Sequence, residues 1–427
     1  VRTFWTSIHR YAGLVTAAFL FVSGVTGAVI SWDHELDDLL NAKLMQAPGR
    51  GAAQSPLALS QQLEAKYPHL RVTYLPLHVT PGRSVAFGIG AKIDAVTGKL
   101  HEPGFNQLFV DPVTGAELGR REWGAVWPIT RATFVSFLYK LHYTLHIPAM
   151  WGIDRWGVWL MGAIAVIWTI DSFVGFYLTL PVRRKGEPPA PSSPASARRT
   201  WWQRWKPAFL VRWRAGGARL NFDLHRAFSL WTWGLLLILA FTAFSLNLYS
   251  EVFYPLLKTV SKVTPSPFDT IVPKDSQHPI EPRLSYAQII GAASAESGRR
   301  GWSEPAGGVF YSPEFGVYGI SFFKPGDDHG AGGVGPAYLY YDGDGRVLGE
   351  RRPWKGTAAD IFVQAQFPLH SGRILGLPGR ILISFMGIIV AMLSVTGVII
   401  WWRKRAARLA VLRRYRGAPR RICGYVS

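Results

Sequence analysis

Two histidines open apolar stretches, and two more sit in a recurring Leu-His pair. His9 stands in the Ile8–Arg10 triplet and His225 in Leu224–Arg226, each ahead of an apolar run. His142 and His370 follow leucines at Leu141–His142 and Leu369–His370. The chain holds eleven histidines, six of them near the ends of apolar stretches. A single interfacial histidine ordinarily snorkels or makes a local hydrogen bond. Four at repeat-related places point to shared chemistry, because an imidazole beside a membrane span needs a partner or a metal. Two facing imidazoles supply what a six-coordinate haem iron requires, neutral nitrogen donors on opposite axial sides of a flat apolar slot. The expectation is two haems, with His9/His225 and His142/His370 as axial ligands.

The surroundings extend this reading. His9 shares a helical face with Gly13 and Ala17, and Gly387, Ala391 and Ser394 give the last apolar run a similar groove for a porphyrin. Arg10 and Arg226 follow ligand candidates, and Arg373 and Arg380 follow His370, so guanidinium groups would hold propionates. That pairing favours haem over bare zinc. His34 and His146 have no counterpart in the other half and stand as alternate ligands of the outer haem. His34 lies almost on the His9 face, but roughly 37 Å further along a straight helix. Asp171, inside an apolar run, is read either as a proton or charge partner or as a helix-packing residue. Asp327, Asp328 and His329 match no specific metal spacing and read as a solvated loop.

Four apolar spans must position these groups: Tyr11–Trp32, Trp156–Leu180, Ala227–Tyr249 and Ile381–Trp402. Each exceeds the ~20 helical residues needed to cross a bilayer core of roughly 30 Å. Tryptophans mark several ends, including Trp32, Trp156, Trp231, Trp401 and Trp402, as expected of headgroup-level rings. The first stretch is too long for a signal-peptide core and reads as a retained span.

The formal charge of +20 is a matter of topology and not of nucleic acid. Ten Lys/Arg fall between Pro181 and Asp223 and nine from Arg403 onward, whereas Asp33 to Glu122 balances nine basic residues against ten acidic ones. The positive-inside rule then places the 181–224 loop and the C-terminal tail in the cytoplasm, with 33–155 and 250–380 outside. The single cysteine, Cys423, precludes an intramolecular disulfide.

The division reads as follows: 1–32 first span; 33–155 first outer domain with a membrane-edge helix; 156–180 second span; 181–226 basic linker, carrying the flexible PPAPSSPASA run; 227–249 third span; 250–380 second outer domain; 381–402 fourth span; 403–427 basic tail. Each outer segment carries a helix (Leu57–Tyr67; Ser285–Glu296), alternating strands and a hairpin (Asp111–Trp123; Tyr341–Trp354). The fold class is a four-helix transmembrane bundle with two α+β outer domains, duplicated about a pseudo-twofold axis. Neither GxGxxG nor a P-loop occurs in a strand-to-helix setting, which argues against a bound nucleotide domain and leaves the electron donor unidentified.

The segments IHRYAGL at Ile8–Leu14, LHR at Leu224–Arg226, PLHSGRILGLPGR at Pro368–Arg380 and TGVIIWWRK at Thr396–Lys404 resemble the PepSY-associated transmembrane family. The resemblance is narrower to its siderophore-reductase members and covers essentially the whole chain. It implies PepSY-like periplasmic domains, a bacterial inner-membrane location, b-type haem, and reduction of a ferric siderophore with release of Fe(II). The family's ligands carry over to His9, His225, His142 and His370. Electrons would come from a quinol or a cytoplasmic reductant. Aromatic residues such as Trp302, Phe310, Tyr311, Tyr338, Tyr340 and Tyr341 would offer either a docking surface or core. Two rivals stand beside this reading, a non-catalytic PepSY-type binding protein and a permease for a siderophore or its iron.

Overall fold

The computed structural model describes residues 1–94, 96–101, 103–182, 200–275 and 277–417. The proline- and serine-rich linker at 188–197 and Cys423 lie outside the described residues. Along the chain, α1 (Arg2–Ile30), α2 (Asp33–Leu40), α3 (Ala42–Met45) and α4 (Pro56–Lys66) precede strands β1 (Leu70–Pro76), β2 (Val85–Ala91), β3 (Gln107–Val110) and β4 (Glu117–Arg121). Then come α5 (Arg131–Thr144), α6 (Trp156–Thr179), α7 (Trp201–Trp205), α8 (Gly217–Trp231), α9 (Trp233–Asn247), α10 (Tyr254–Val260), α11 (Pro267–Thr270) and α12 (Tyr286–Arg299). Strands β5 (Ala306–Ser312), β6 (Val317–Phe322), β7 (Ala337–Tyr341) and β8 (Val347–Arg351) lead to α13 (Ala358–Ser371) and α14 (Gly376–Gly417).

Among the described residues, three helical stretches are long and apolar enough to cross a membrane: Arg2–Ile30, Trp156–Thr179 and Arg373–Leu412. The chain is a membrane protein. The third span expected over 227–249 is broken, since α8 and α9 meet at 73°. The Thr232 hydroxyl donates to the Phe228 carbonyl at 2.7 Å, and its own N–H turns back to Phe228 and Leu230. These bonds close the last turn of α8 at Thr232, which is not part of either helix. Continuous hydropathy across Trp231 and Trp233 conceals the break in the sequence.

The chain forms two compact units, one from 1–28, 159–244 and the described part of 384–427, the other from 29–158 and 245–383. In the first, α1 and α14 meet through small residues. A Cβ on Gly24 would lie 2.6 Å from the Gly387 carbonyl, and one on Gly387 would lie 2.5 Å from the Gly24 carbonyl and 3.0 Å from Ala28 N. The Ser384 hydroxyl donates to Ala28 O at 2.9 Å. Close backbone approach of this kind supplies van der Waals packing where lipid offers no hydrophobic drive. Gly387 and Ala391 therefore hold α1; they do not form the porphyrin groove expected of them.

In the second unit all eight strands make one antiparallel sheet, ordered β4-β3-β2-β1-β5-β6-β7-β8. The join is β1 to β5, where Tyr74 pairs with Phe310, Leu75 with Val309 and Pro76 with Gly308. The β3–β4 and β7–β8 hairpins turn where the glycine-containing motifs lie. One continuous core covers the sheet, including Leu59 and Leu63 of α4, Ile289 and Ala293 of α12, and Val72, Phe87, Leu108, Val309, Ile320 and Leu339. Each such buried valine, leucine, isoleucine or phenylalanine side chain contributes about 1.5–3 kcal/mol of transfer free energy.

Candidate functional site

In the first unit, His9 projects from α1 and His225 from α8, with ring centres 6.3 Å apart. The His9 Nδ1–H donates to Asp171 Oδ2 on α6 at 2.8 Å. The His225 Nδ1 lies 3.2 Å from the Leu393 carbonyl and 3.0 Å from the Thr396 hydroxyl on α14. A carboxylate or carbonyl oxygen accepts, so each Nδ1 carries hydrogen and each Nε2 keeps its lone pair. This is the outer-shell arrangement that fixes the tautomer of a metal-bound imidazole.

The spacing also fits. Two metal–imidazole bonds of about 2.0 Å in line, with about 1.1 Å from each nitrogen to its ring centre, separate the centres by about 6.2 Å. Small residues flank both rings: a Cβ on Gly175 would lie 3.3 Å from His9 Cε1, and one on Gly397 would lie 3.2 Å from His225 Cε1. Around them lies a cavity of about 400 Å³ lined by Gly13, Ala17, Leu20, Phe176, Leu393 and Ser394 among others. Its size and apolar walls suit a cofactor site, and the residues present fit a haem.

Arg10 lines the cavity, together with Arg2 and Lys404, which the sequence reading did not single out. Arg226 lines it too, but its Nη2 donates to Pro207 O at 2.7 Å and to Asp223 Oδ1 at 3.2 Å. Asp223 is completely buried and also pairs with Arg212 and Arg219. Gly175 was legible in principle, since it lies four residues after Asp171 and hence on the same face of α6.

In the second unit, α5 and α13 bring His142 and His370 together, their ring centres 6.1 Å apart. Each helix starts at a threonine capping box, Thr130–Thr133 and Thr357–Asp360, which sets the register of the histidine near its far end. The same spacing argument therefore applies to this pair.

The nearby arginines are committed to acids. Arg380 donates to Ser31 O at 2.9 and 2.7 Å and to both Glu35 oxygens at 2.8 and 2.6 Å. Arg373 lies 3.4 Å from Asp33 Oδ1. Burial would raise the Asp33 carboxyl, but the hydrogen bond from His34 and the His34 and Arg373 charges hold it below its ordinary value. That hydrogen bond to Asp33, opposed by burial, raises His34.

The two alternate ligands go elsewhere. The His146 Nε2–H donates to the Phe137 carbonyl at 2.9 Å, and its ring stacks on Phe137. His34 faces His329, ring centres 5.3 Å apart, a pairing the sequence did not suggest.

Comparison with known proteins agrees with the motifs. A search of curated proteins found no match. The profile described as the PepSY-associated TM region matches residues 6–404, from just before His9 to just past the apolar part of α14. The chain therefore belongs to the PepSY-associated transmembrane family.

Proposed function

We propose that this protein is a di-haem b reductase of a bacterial inner membrane, passing electrons to a periplasmic ferric siderophore and releasing iron as Fe(II). The observation that carries the reading is the His9/His225 pair. Both rings have Nδ1 tied to an acceptor, stand 6.3 Å apart and border an apolar cavity. The His142/His370 spacing of 6.1 Å supports a second site.

When bound, haem would supply a one-electron carrier suited to outer-sphere transfer, held by His9 and His225 in one site and by His142 and His370 in the other. The chain's own groups do the rest. Asp171 holds the Nδ1 proton of His9 and places a negative charge behind that ring, making it a stronger donor. Leu393 O and Thr396 orient His225 without a charge, so the two ligands of one pair differ in basicity. Apolar side chains exclude water, and Arg10 and Lys404, which line the cavity, would hold acidic groups there, whereas Arg2 donates to the Leu178 and Leu180 carbonyls.

The topology fits transfer across the membrane. The basic clusters orient both termini and the central linker toward the cytoplasm and the sheet unit toward the periplasm. A four-span bundle, counting α8 and α9 as one broken span, and two PepSY-like modules sharing one sheet complete the architecture. The mirrored strand order supports a pseudo-twofold duplication. Hydroxamate or catecholate oxygens hold hard Fe(III) far better than Fe(II), so a single electron loosens the chelate and leaves the organic ligand intact.

Proteoliposomes enclosing a reductant test this directly, with a ferric hydroxamate siderophore and an Fe(II)-specific chelator outside. External Fe(II) should form with the intact chain and fall at least tenfold in His370→Ala. Equal rates in protein-free vesicles, or in the variant, would sink the proposal.

A further inference from the structure

We infer that His34 and His329 form a binding site for a divalent transition-metal ion, separate from the two haem-type pairs. His34 is the second residue of α2, shortly after α1, and His329 sits in the glycine-rich loop before β7. Their ring centres are 5.3 Å apart and tilted by 56°.

That spacing differs from the other two pairs in an interpretable way. Imidazoles in line across a metal have centres about 6.2 Å apart, whereas a tetrahedral angle between the same bonds brings them to about 5.1 Å. The separations of 6.3 and 6.1 Å match the first geometry. The separation of 5.3 Å matches the second.

Each ring is also backed by its own carboxylate. The His34 Nδ1–H donates to Asp33 Oδ1 at 2.9 Å, and the His329 Nδ1–H donates to Asp328 Oδ1 at 2.8 Å. Each dyad thus leaves Nε2 as the donor nitrogen of its ring, the tautomer that metal sites require, while Arg373 Nη2 stands 3.5 Å from His34 Nδ1. The two anions balance a dication, although Arg373 offsets part of Asp33. Side-chain exposures of 61% for His34 and 42% for His329 leave both reachable by a solvated ion.

The loop is built to present His329. The Gly335 N–H donates to His329 O at 2.7 Å. Gly330, at φ +64°, passes so close that an added Cβ would lie 2.2 Å from Gly335 O, which only glycine tolerates. Among the described residues no group of three or more histidine, cysteine or acidic side chains converges. Water or a ligand's own donors must therefore complete the coordination, which suits a transient site more than a permanent one.

Imidazole selects borderline divalent ions such as Fe(II), Zn(II) or Cu(II) over hard Fe(III). In this respect the inference rests on the proposed reductase: Fe(II) is the ion that reaction releases, and the dyads would receive it. Metal binding itself does not depend on haem.

The experiment uses the full-length protein in detergent, stripped with EDTA and titrated with Zn(II) by calorimetry, with the haem absorption spectrum recorded on the same samples. His34→Ala and His329→Ala should each weaken zinc binding at least tenfold with unchanged haem spectra, and His34→Gln should repeat the loss. His69→Ala is the control, because His69 and His101 are also 5.1 Å apart but His69 lies 3.8 Å from Asp94, beyond hydrogen-bond reach. Unchanged zinc affinity in both dyad variants overturns the inference. Loss of haem in His34→Ala also overturns it, since His34 would then be an axial ligand. Zinc binding at the dyads in a chain that holds no haem would uphold the site while removing the reductase reading.

Discussion

The Nδ1–H of His9 donates to Asp171 at 2.8 Å, joining a histidine of α1 to the single carboxylate within α6. Asp171 has 13% of its side chain exposed and its Oδ1 has no hydrogen-bond partner, so its charge is directed largely at one imidazole. Asp171→Asn should keep the hydrogen bond but remove the charge, raising one of two haem midpoint potentials and leaving the other in place. Asp171→Ala should weaken retention of that haem roughly 10- to 100-fold, as loss of outer-shell partners does. Redox titration monitored by absorption distinguishes the two, and an unmoved potential in Asp171→Asn would show that the pair is only structural.

Gly175 and Gly397 each leave room beside a ring, 3.3 Å from His9 Cε1 and 3.2 Å from His225 Cε1 for an added Cβ. Gly175→Val and Gly397→Val should tilt the rings and lower haem content toward one per chain. Pyridine haemochrome assay checks this; two haems in both variants would mean the glycines serve packing alone.

Asp360 carries a stability prediction with a definite sign. Burial would raise its carboxyl, but hydrogen bonds from the Thr264 and Thr357 N–H groups and the Thr264 hydroxyl hold it below the ordinary 3.8. Its stabilisation is present above pH 3.8 and is lost as pH falls through the lower folded value. Thr357→Ala, which removes the opposite half of the cap on α13, should cost about 1 kcal/mol. Thermal unfolding from pH 6 to pH 3 should show an acid loss that is smaller in Asp360→Asn.

Arg121 ties α2, β3, β4 and the start of α5 together. It donates to both Asp37 oxygens at 2.8 and 2.7 Å, to Gln107 Oε1 at 2.7 Å and to Ala132 O at 3.1 Å. Arg121→Ala leaves Asp37 without its charge partner and should destabilise the sheet unit by about 3–5 kcal/mol. Denaturant unfolding measures it, and a loss under 1 kcal/mol would contradict the assignment.

The local parts of this fold were legible, and the distant ones were not. Helix α4, with Pro56 at its start, and the β3–β4 hairpin, with its glycine-containing turn, are specified by short stretches of neighbouring residues. The β1–β5 join pairs Tyr74 with Phe310, and no local pattern announces a contact over that separation. Hydropathy registers apolar length but not direction, so the 73° break at Thr232 stayed hidden inside one continuous run.

At the site, the repeat indicated which histidines pair but not what stands behind them. Asp171 as the partner of His9, and His329 as the partner of His34, depend on tertiary placement alone. The arginines have partners that the sequence does not announce. Sequence proximity to a histidine suggested propionate anchors, yet Arg226, Arg373 and Arg380 each have an acid within reach, at Asp223, Asp33 and Glu35.

The most direct measurement is a haem count on the purified protein and four single variants, with oxidised and dithionite-reduced spectra. The intact chain should hold two b-type haems; His9→Ala and His225→Ala should lose one and the same haem, and His142→Ala and His370→Ala the other. A chain without haem, or losses that pair His9 with His142, would contradict the proposal that the histidine pairs at 6.3 and 6.1 Å hold haem.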